Sequence, residues 1–308
     1  MSEIYDVIII GGGPAAISAA IYTYRFGLNS LLIAEKIGGQ IVYSFSVENY
    51  PGILPISGES LSNMLWTHLE KTGVPSKISK VTRVWQDNNG LFVVETRKKY
   101  FSRALIVASG REHKKLEVPG AAEYEGKGVH YCVICDGPIY TGKETAVVGG
   151  GNSALNAALH LLRISSRIHM INIDDRYKGD VFRLKVIESS ENVVFHKKAR
   201  VTEIFGDRDK MTGLKYIDEN GNTNVLPVEA VFVEIGTVPI TNFIELNVAK
   251  NTSGEIIVND RCETNIPGLF AAGDVTNVPY KQAIIAAGEG AKAGISAYEY
   301  IQKQKKKG

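Results

Sequence analysis

The chain has 308 residues, of which 44% are hydrophobic and 22% charged, as in globular proteins of about two domains. Its 35 Lys and Arg and 33 Asp and Glu leave a net charge of +2, so it lacks the strongly basic surface by which proteins bind nucleic acid. No apolar run approaches the roughly 20 residues that span a bilayer, and no signal-peptide core precedes the first strand pattern. We therefore expect a cytoplasmic protein that binds neither nucleic acid nor membrane.

A glycine-rich segment occurs twice, as Gly11–Ile21 and as Gly149–Leu159. A β-rich apolar run precedes each copy, and an Ala-rich stretch with helical spacing follows. The pattern predicts a strand, a tight glycine turn and a helix, in which a small residue (Ala16 or Ala154) lets the helix pack close to the strand. Such a turn places phosphates at the N-terminus of the helix. Because both copies have this context, we predict two nucleotide-binding domains.

A carboxylate follows the next predicted strand after each copy. Glu35 comes directly after Leu31–Ala34, 24 positions after Gly11, where it can accept hydrogen bonds from both hydroxyls of an adenosine ribose. Asp174 stands 25 positions after Gly149. A solvated loop residue is the alternative for each acid, and the spacing favours the ribose contact at Glu35 in particular.

Two later patterns indicate that the first nucleotide-binding domain is split in the sequence. Ala104–Gly110 and Pro267–Asp274 each predict a buried strand that ends in small residues, and a helix is expected from about Lys281 to Ile301. Charged connectors that contain Gly and Pro lie at Arg111–Gly128 and Gly236–Phe243. They would carry the chain into and out of an inserted domain.

The predicted fold class is therefore α/β, with two Rossmann-like nucleotide-binding domains of three layers (ββα), the second inserted into the first. Residues 1–113 and 243–308 should form the first domain. Residues 114–242 should form the second.

Two of the three cysteines, Cys132 and Cys135, are separated by two residues just before the second glycine segment. A zinc site needs four ligands, and no second Cys pair or His pair accompanies them, so no metal is expected. Two inert buried thiols are one alternative, but the spacing suits a redox-active disulfide. Asp136 could protonate the leaving sulfur, or it could simply belong to the turn Asp136–Pro138. Cys262 is expected to be a buried structural thiol.

The chain resembles the low-molecular-weight thioredoxin reductases, which are FAD-dependent pyridine nucleotide-disulfide oxidoreductases, over essentially its whole length. The matching segments are, in order, Gly11–Ala16, Gly38–Gln40, Glu48–Gly52, Ser109–Gly110, Cys132–Gly137, Gly149–Ala154, Gly273–Val275 and Tyr280–Gln282. The resemblance implies a homodimer, a tightly held FAD in the split domain, and an inserted nicotinamide domain that carries the disulfide. It implies that electrons pass from NAD(P)H through FAD and the cysteine pair to thioredoxin or another small dithiol protein.

The same resemblance implies roles for individual residues. Cys135 should face the flavin, Cys132 should attack the disulfide of the partner, and Asp136 should be the acid. The residues expected to bind FAD are Gly11, Gly13, Pro14, Ala15, Glu35, Gly39, Gln40, Asn49, Val81, Gly110, Gly273, Asp274, Lys281, Gln282 and Ala283. Those expected to bind the nicotinamide dinucleotide are Gly149, Gly151, Asn152, Ser153, Ala154 and Asp174.

The segment Asn172–Asp174 departs from the family. NADPH-dependent members place His-Arg-Arg here, with a further Arg a few residues on, to bind the 2′-phosphate. In this chain Ile173 and Asp174 supply no guanidinium group, Lys178 stands at the position of the later Arg, and Arg176 is nearby. We therefore expect NADH to be favoured over NADPH.

Two other functions are left open. The same segment resembles that of the flavoproteins that donate electrons to peroxiredoxin-type hydroperoxide reductases. Those flavoproteins carry an additional N-terminal thioredoxin-like region, so such a role would require a separate dithiol protein here. The chain could also be a non-catalytic FAD-binding redox sensor, although a sensor would not need the second glycine turn.

Overall fold

The computed structural model describes residues 3–44 and 47–306. The chain divides into two compact units: residues up to Glu112 together with those from Val238 onwards form unit 1, and His113–Thr237 form unit 2. The chain leaves unit 1 one residue earlier than the sequence suggests (112 against 113) and returns five residues earlier (after 237 against after 242). Within the described ranges, no helix has the length and apolar character needed to cross a membrane.

The strands are β1 (Ile4–Ile10), β2 (Ser30–Ala34), β3 (Ser76–Ile78), β4 (Arg83–Gln86), β5 (Phe92–Glu95), β6 (Lys99–Val107), β7 (Arg111–His113), β8 (Val129–His130), β9 (Glu144–Val148), β10 (Arg167–Ile171), β11 (Val193–His196), β12 (Arg200–Gly206), β13 (Met211–Ile217), β14 (Thr223–Leu226), β15 (Ala230–Val233), β16 (Thr237–Pro239) and β17 (Leu269–Ala271). The α-helices are α1 (Pro14–Arg25), α2 (Gly58–Thr72), α3 (Val133–Asp136), α4 (Asn152–Leu161), α5 (Val181–Glu188) and α6 (Ala283–Lys305). Strands β7 and β16, which contain the two points at which the chain passes from one unit to the other, pair with each other.

Unit 1 is built on one sheet of order β3-β2-β1-β6-β5-β4, in which β17 also pairs with β6. The pairs among β1, β2, β3, β6 and β17 are parallel, whereas β4 and β5 run antiparallel to their neighbours. Val7 and Ile9 of β1 pack with α1 and α6 on one face, and Ile8 and Ile10 pack with the segment 243–248 on the other. Because the parallel strands end at one edge of the sheet, the turn after β1 lies where α/β sheets bind their ligands.

Helix α6 packs closely on α1 because both helices carry small residues at their contact. A Cβ added to Gly290 would lie 2.0 Å from the carbonyl oxygen of Ala15, so a larger residue would force the helices apart. The helix begins at Ala283, two residues later than expected, because Gln282 has an extended backbone (φ −134°, ψ 145°) and is the N-cap.

Unit 2 contains a parallel sheet of order β11-β10-β9-β15-β8. The antiparallel strands β12, β13 and β14 pack on one face through a cluster that includes Met211 and Leu214. Helices α4 and α5 pack on the other face through Leu155 and Ile187. The predicted fold class, α/β with two Rossmann-like domains, is confirmed.

Candidate active site

Cys132 and Cys135 form a disulfide bond at the start of α3, with their Cα atoms 5.4 Å apart. Strand β8 ends two residues before Cys132, so the parallel sheet leads directly into this turn. The backbone N–H of Cys135 donates to Sγ of Cys132 at 3.2 Å, and a hydrogen bond of this kind favours negative charge on the accepting atom. In the dithiol form, Cys132 is therefore the better placed of the two to be a thiolate.

Asp136, at the end of α3, contacts a buried histidine of unit 2. Its Oδ2 lies 3.1 Å from Nδ1 of His130, and Nε2 of that ring lies 2.8 Å from the hydroxyl of Tyr140. The His130 side chain is buried, whereas Asp136 is 34% exposed. Burial lowers the pKa of His130, and the adjacent carboxylate opposes the shift. The carboxyl group of Asp136, the residue after Cys135, is thus held by an imidazole that is neutral near neutral pH.

The first glycine segment forms a tight turn between β1 and α1. Gly11 has φ +136°, and a Cβ there would lie 2.1 Å from the carbonyl oxygen of Ala108 and 3.3 Å from Cβ of Ala16. Only glycine fits this backbone conformation and this space. Gly13 is the N-cap of α1, and Pro14 is its first residue.

The second glycine segment repeats this geometry in unit 2. Gly149 has φ +143°, and a Cβ there would lie 2.2 Å from the carbonyl oxygen of Glu234 and 3.4 Å from Cβ of Ala154. Gly151 is the N-cap of α4, and open space surrounds the position that its Cβ would occupy. Each unit therefore has a strand, a glycine turn and a helix of the kind that binds a dinucleotide.

Helices α1, α4 and α6 have no side-chain hydrogen bond at their N-caps, whereas Ser57 and Asp180 cap α2 and α5. Uncapped N–H groups at a helix N-terminus attract anionic groups such as a pyrophosphate. The three uncapped helices are those expected to contact the FAD pyrophosphate, the NAD(P)H pyrophosphate and the flavin ring. The backbone donors of this chain therefore fit both cofactors.

Long-range hydrogen bonds bring several residues expected to bind FAD together in unit 1. The side-chain amide of Asn49 donates to Oε1 of Gln282 at 3.0 Å, although these residues are 233 positions apart. The amide of Gln40 donates to the carbonyl oxygen of Arg111 at 2.8 Å. Glu35 directly follows β2, and its side chain is half exposed.

Other residues of this set lie around the first glycine turn. A Cβ on Gly39 would lie 3.2 Å from Cα of Gly13, and one on Gly273 would lie 2.9 Å from Cβ of Ala15. Val81 packs against the cluster on the opposite face of the sheet from α1. Gly39 and Gly273 therefore adjoin the turn, whereas Val81 packs on the opposite face of the sheet.

A partly buried ionic cluster lies next to Asp274. Glu255 pairs with Nη1 of Arg111 at 2.8 Å and with Nζ of Lys281 at 3.1 Å. Burial raises the pKa of Asp274, and the charges of Lys281 and Arg111 oppose this shift. Gly110, with φ +70°, turns the chain immediately before Arg111. Asp274 therefore lies half-buried beside two cations.

Residues 5–290 match the family model for pyridine nucleotide-disulphide oxidoreductases. The chain belongs to this family. The resemblance identified from the ordered motifs is thereby confirmed.

Two curated relatives of this chain differ in length. A subunit of the alkyl hydroperoxide reductase of Escherichia coli K12 is 40% identical over 98% of this chain, and thioredoxin reductase of Listeria monocytogenes is 37% identical over 98%. The chain spans 59% of the first relative and 96% of the second. The crystal structure of Lactococcus lactis thioredoxin reductase matches with a TM-score of 0.92 at 34% identity, over 97% of this chain and 99% of that one.

The loop after β10 in this family member carries paired charges. Nζ of Lys178 lies 2.7 Å from Oδ2 of Asp174, and Nε of Arg176 lies 3.9 Å from Oδ1 of Asp175. The side-chain amide of Asn172 donates to the carbonyl oxygen of Arg176 at 2.9 Å. Both cations that could bind a 2′-phosphate therefore already have a carboxylate partner.

The start of α4 combines exposed and buried polar groups. Asn152 and Ser153 are exposed in its first turn, and Oδ1 of Asn152 accepts a hydrogen bond from the backbone of Asp180 at 2.7 Å.

Glu234, whose backbone adjoins Gly149, is buried, and burial raises the pKa of its carboxyl group to about 7. A titratable group thus lies beside the second glycine turn.

No sequence motif marks four of these residues, His130, Arg111, Glu255 and Glu234. Their positions depend on packing: the Arg111–Glu255 pair, for example, joins residues 144 positions apart. Within residues 3–44 and 47–306, no group of His, Cys, Asp and Glu could hold a metal ion. Cys262 is a free, buried thiol, and burial raises its pKa to about 12.

Proposed function

We propose that this chain is a thioredoxin reductase-like flavoenzyme, which passes electrons from NAD(P)H through FAD and the Cys132–Cys135 disulfide to a thioredoxin-type protein disulfide. The observation that carries the proposal is this disulfide next to Asp136, in the same unit as a second dinucleotide-type glycine turn. The thioredoxin reductase relative, whose length the chain almost fully spans, supports the substrate class.

In this proposal unit 1 binds FAD and unit 2 binds NAD(P)H. The first-turn N–H groups of α1 would hold the FAD pyrophosphate, Glu35 the adenosine ribose and Asp274 the ribityl chain. FAD bound there would supply two-electron transfer between the nicotinamide and the cysteine pair. The uncapped N-terminus of α6, next to Gln282, would stabilise negative charge on the flavin ring.

The cysteine pair would then exchange with the disulfide of the partner. The thiolate of Cys132 attacks one partner sulfur, which forms a mixed disulfide and expels the other sulfur, and Asp136 protonates that leaving group. Cys135 attacks Sγ of Cys132, which releases the second partner thiol and restores the enzyme disulfide. Over one cycle, NAD(P)H, H⁺ and a protein disulfide become NAD(P)⁺ and a protein dithiol.

NADH is the donor that the loop after β10 favours. A 2′-phosphate would have to separate Lys178 from Asp174, whereas ribose hydroxyls can donate to a carboxylate at this position. We further propose a cytoplasmic homodimer, because a reactive cysteine pair suits a reducing compartment and the resemblance to thioredoxin reductases includes the dimer. Sedimentation equilibrium measures the oligomeric state.

A second candidate function is the flavoprotein component of a hydroperoxide-reducing system. The relative from an alkyl hydroperoxide reductase, which is 40% identical, favours this role. The chain spans 59% of that relative, and in this second proposal the electron acceptor is a separate dithiol protein.

Anaerobic absorbance spectroscopy tests the proposal. The purified protein should show flavin absorbance, lose it when NADH or NADPH is added, and recover it when oxidised thioredoxin follows. Bleaching by dithionite alone would instead favour a redox sensor or another electron donor. Recovery with a peroxiredoxin and its dithiol protein, but not with thioredoxin, would favour the second candidate.

A further inference from the structure

A buried histidine connects Asp136 to the interior of unit 2. His130 is the last residue of β8, and its side chain is 4% exposed. Its Nδ1 lies 3.1 Å from Oδ2 of Asp136, and its Nε2 lies 2.8 Å from the hydroxyl of Tyr140. The ring also stacks on Phe232 of β15, with centroids 5.7 Å apart and planes inclined by 28°. The imidazole therefore has one fixed orientation.

The two polar partners assign the tautomer of this ring. Burial lowers the pKa of His130, so the imidazole is neutral near neutral pH and carries one N–H. Oδ2 of Asp136 accepts both in the carboxylate and in the acid protonated on Oδ1, so the ring proton belongs on Nδ1, and Nε2 accepts from the hydroxyl of Tyr140. The hydrogen bonds then run in one direction, from Tyr140 through His130 to Asp136.

We propose that His130 is a positioning residue for the proton donor Asp136: it holds Oδ2, so that Oδ1 is the oxygen that can give a proton to the sulfur that departs during disulfide exchange. This inference rests on the proposed function. When the partner sulfur leaves, Asp136 gives up its proton and becomes a carboxylate. The Nδ1–H group of His130 stabilises that carboxylate in place until solvent returns a proton.

Few titratable groups face the His130 ring, so replacing it should affect Asp136 and Tyr140 rather than more distant charges. Asp136 and Tyr140 are the titratable groups that face the ring, and Phe232 contributes only an aromatic face. Burial, with smaller effects of Asp136 and Glu229, raises the pKa of Tyr140, so its hydroxyl remains a donor. Glu229 itself is paired with Lys143 at 3.2 Å.

Two disulfide substrates distinguish a role of His130 in positioning Asp136 from a role in packing alone. 5,5′-Dithiobis(2-nitrobenzoate) releases a weakly basic aromatic thiolate that needs no proton, whereas bis(2-hydroxyethyl) disulfide releases a basic alkyl thiolate that does. The assays use NADH or NADPH, whichever reduces the flavin of the wild-type protein. Under these conditions His130→Phe should lower kcat/KM for the alkyl disulfide about tenfold or more. It should leave kcat/KM for the aromatic disulfide within about twofold. His130→Asn, which retains an N–H donor, should recover most of the loss.

His169→Phe is the matched control, because His169 is a buried histidine of the same unit that also lies near a carboxylate, Glu144 at 3.4 Å. It should not discriminate between the two substrates. If His130→Phe does not fold, Tyr140→Phe should show a smaller loss that is again selective for the alkyl disulfide. Equal effects on both substrates, or none, would make His130 a packing residue and overturn the inference. If the wild type reduces only a protein disulfide, the comparison is made with oxidised thioredoxin, on which His130→Phe should lose about tenfold or more in kcat/KM and His169→Phe should not. A wild type that reduces neither small disulfide nor oxidised thioredoxin would instead refute the proposed function.

Discussion

The ammonium group of Lys178 lies 2.7 Å from the carboxylate of Asp174, four residues earlier in the loop after β10. This pair neutralises the cation that stands where NADPH-dependent relatives are expected to have an arginine. A 2′-phosphate entering this loop would therefore meet a neutral ion pair in place of a free cation.

Replacing both Ile173 and Asp174 with arginine should raise the ratio of kcat/KM for NADPH to that for NADH by about tenfold or more, because charge-assisted bonds to the 2′-phosphate replace a repulsive carboxylate. Steady-state kinetics with both donors measures this ratio. Glu188→Arg, which adds positive charge at the exposed end of α5, is the control and should not change it. A wild type that already strongly prefers NADPH would rule out Asp174 as the residue that sets specificity.

Glu35→Ala should weaken FAD binding about tenfold or more, because a hydrogen bond to a charged acceptor contributes about 1.5–3 kcal/mol. The dissociation constant of FAD for the apoprotein, followed by flavin fluorescence, measures the effect. Lys80→Ala removes the nearest cation, 3.7 Å from Glu35, and serves as the control, since it leaves the ribose acceptor in place. Unchanged FAD affinity in Glu35→Ala would exclude Glu35 from the site.

The parts of the fold and site that follow from local patterns could be predicted from the sequence. The glycine turns at Gly11 and Gly149 are examples, because a positive φ and a close approach to a neighbouring carbonyl require glycine within a short segment. His130 could not be predicted, because its role depends on the ring orientation that Phe232 and Tyr140 impose. The late start of α6, at Ala283, also follows from the backbone geometry of a single N-cap residue.

Glu234→Gln should stabilise the protein at alkaline pH and have little effect in acid. Burial raises the pKa of Glu234 from 4.5 to about 7, so the folded state holds this proton more tightly than the unfolded chain. The carboxyl group therefore imposes no penalty below about pH 4.5, and an increasing one as pH rises to about 7 and above. At about pH 8.5 the gain in the free energy of unfolding should approach about 3 kcal/mol as an upper limit.

Urea denaturation at several pH values, followed by circular dichroism, measures this dependence on Glu234. Glu123→Gln, at an exposed position of the same unit, is the control and should show no such trend. A stabilisation by Glu234→Gln that is the same at about pH 5 and about pH 8.5 would mean that the carboxyl group does not titrate between them.

Replacing either cysteine of the disulfide should abolish turnover, but only one of the two variants should form a stable complex with the partner. Cys132→Ser and Cys135→Ser should both abolish turnover of a protein disulfide while leaving flavin reduction by the nicotinamide donor intact. Only Cys135→Ser should trap a partner that has a single reactive cysteine, because Cys132, whose sulfur accepts the backbone N–H of Cys135 at 3.2 Å, remains as the attacking thiolate and neither protein then has a second thiol to resolve the mixed disulfide. Asp136→Asn should slow exchange by about 10²–10⁴-fold, the usual contribution of a general acid.

Non-reducing gel electrophoresis detects the trapped complex when the partner is a thioredoxin variant that keeps one active-site cysteine, activated as its mixed disulfide with 5-thio-2-nitrobenzoate, and has serine in place of the other. The band should disappear when dithiothreitol is added. Cys262→Ser is the matched control: this thiol is buried and outside the disulfide, so turnover should persist and no complex should form. Trapping by Cys132→Ser instead would reverse the two roles, because the attacking sulfur would then be Cys135. Near-wild-type turnover in either variant of the pair would reduce the disulfide to a structural bond, since dithiol exchange requires both sulfurs.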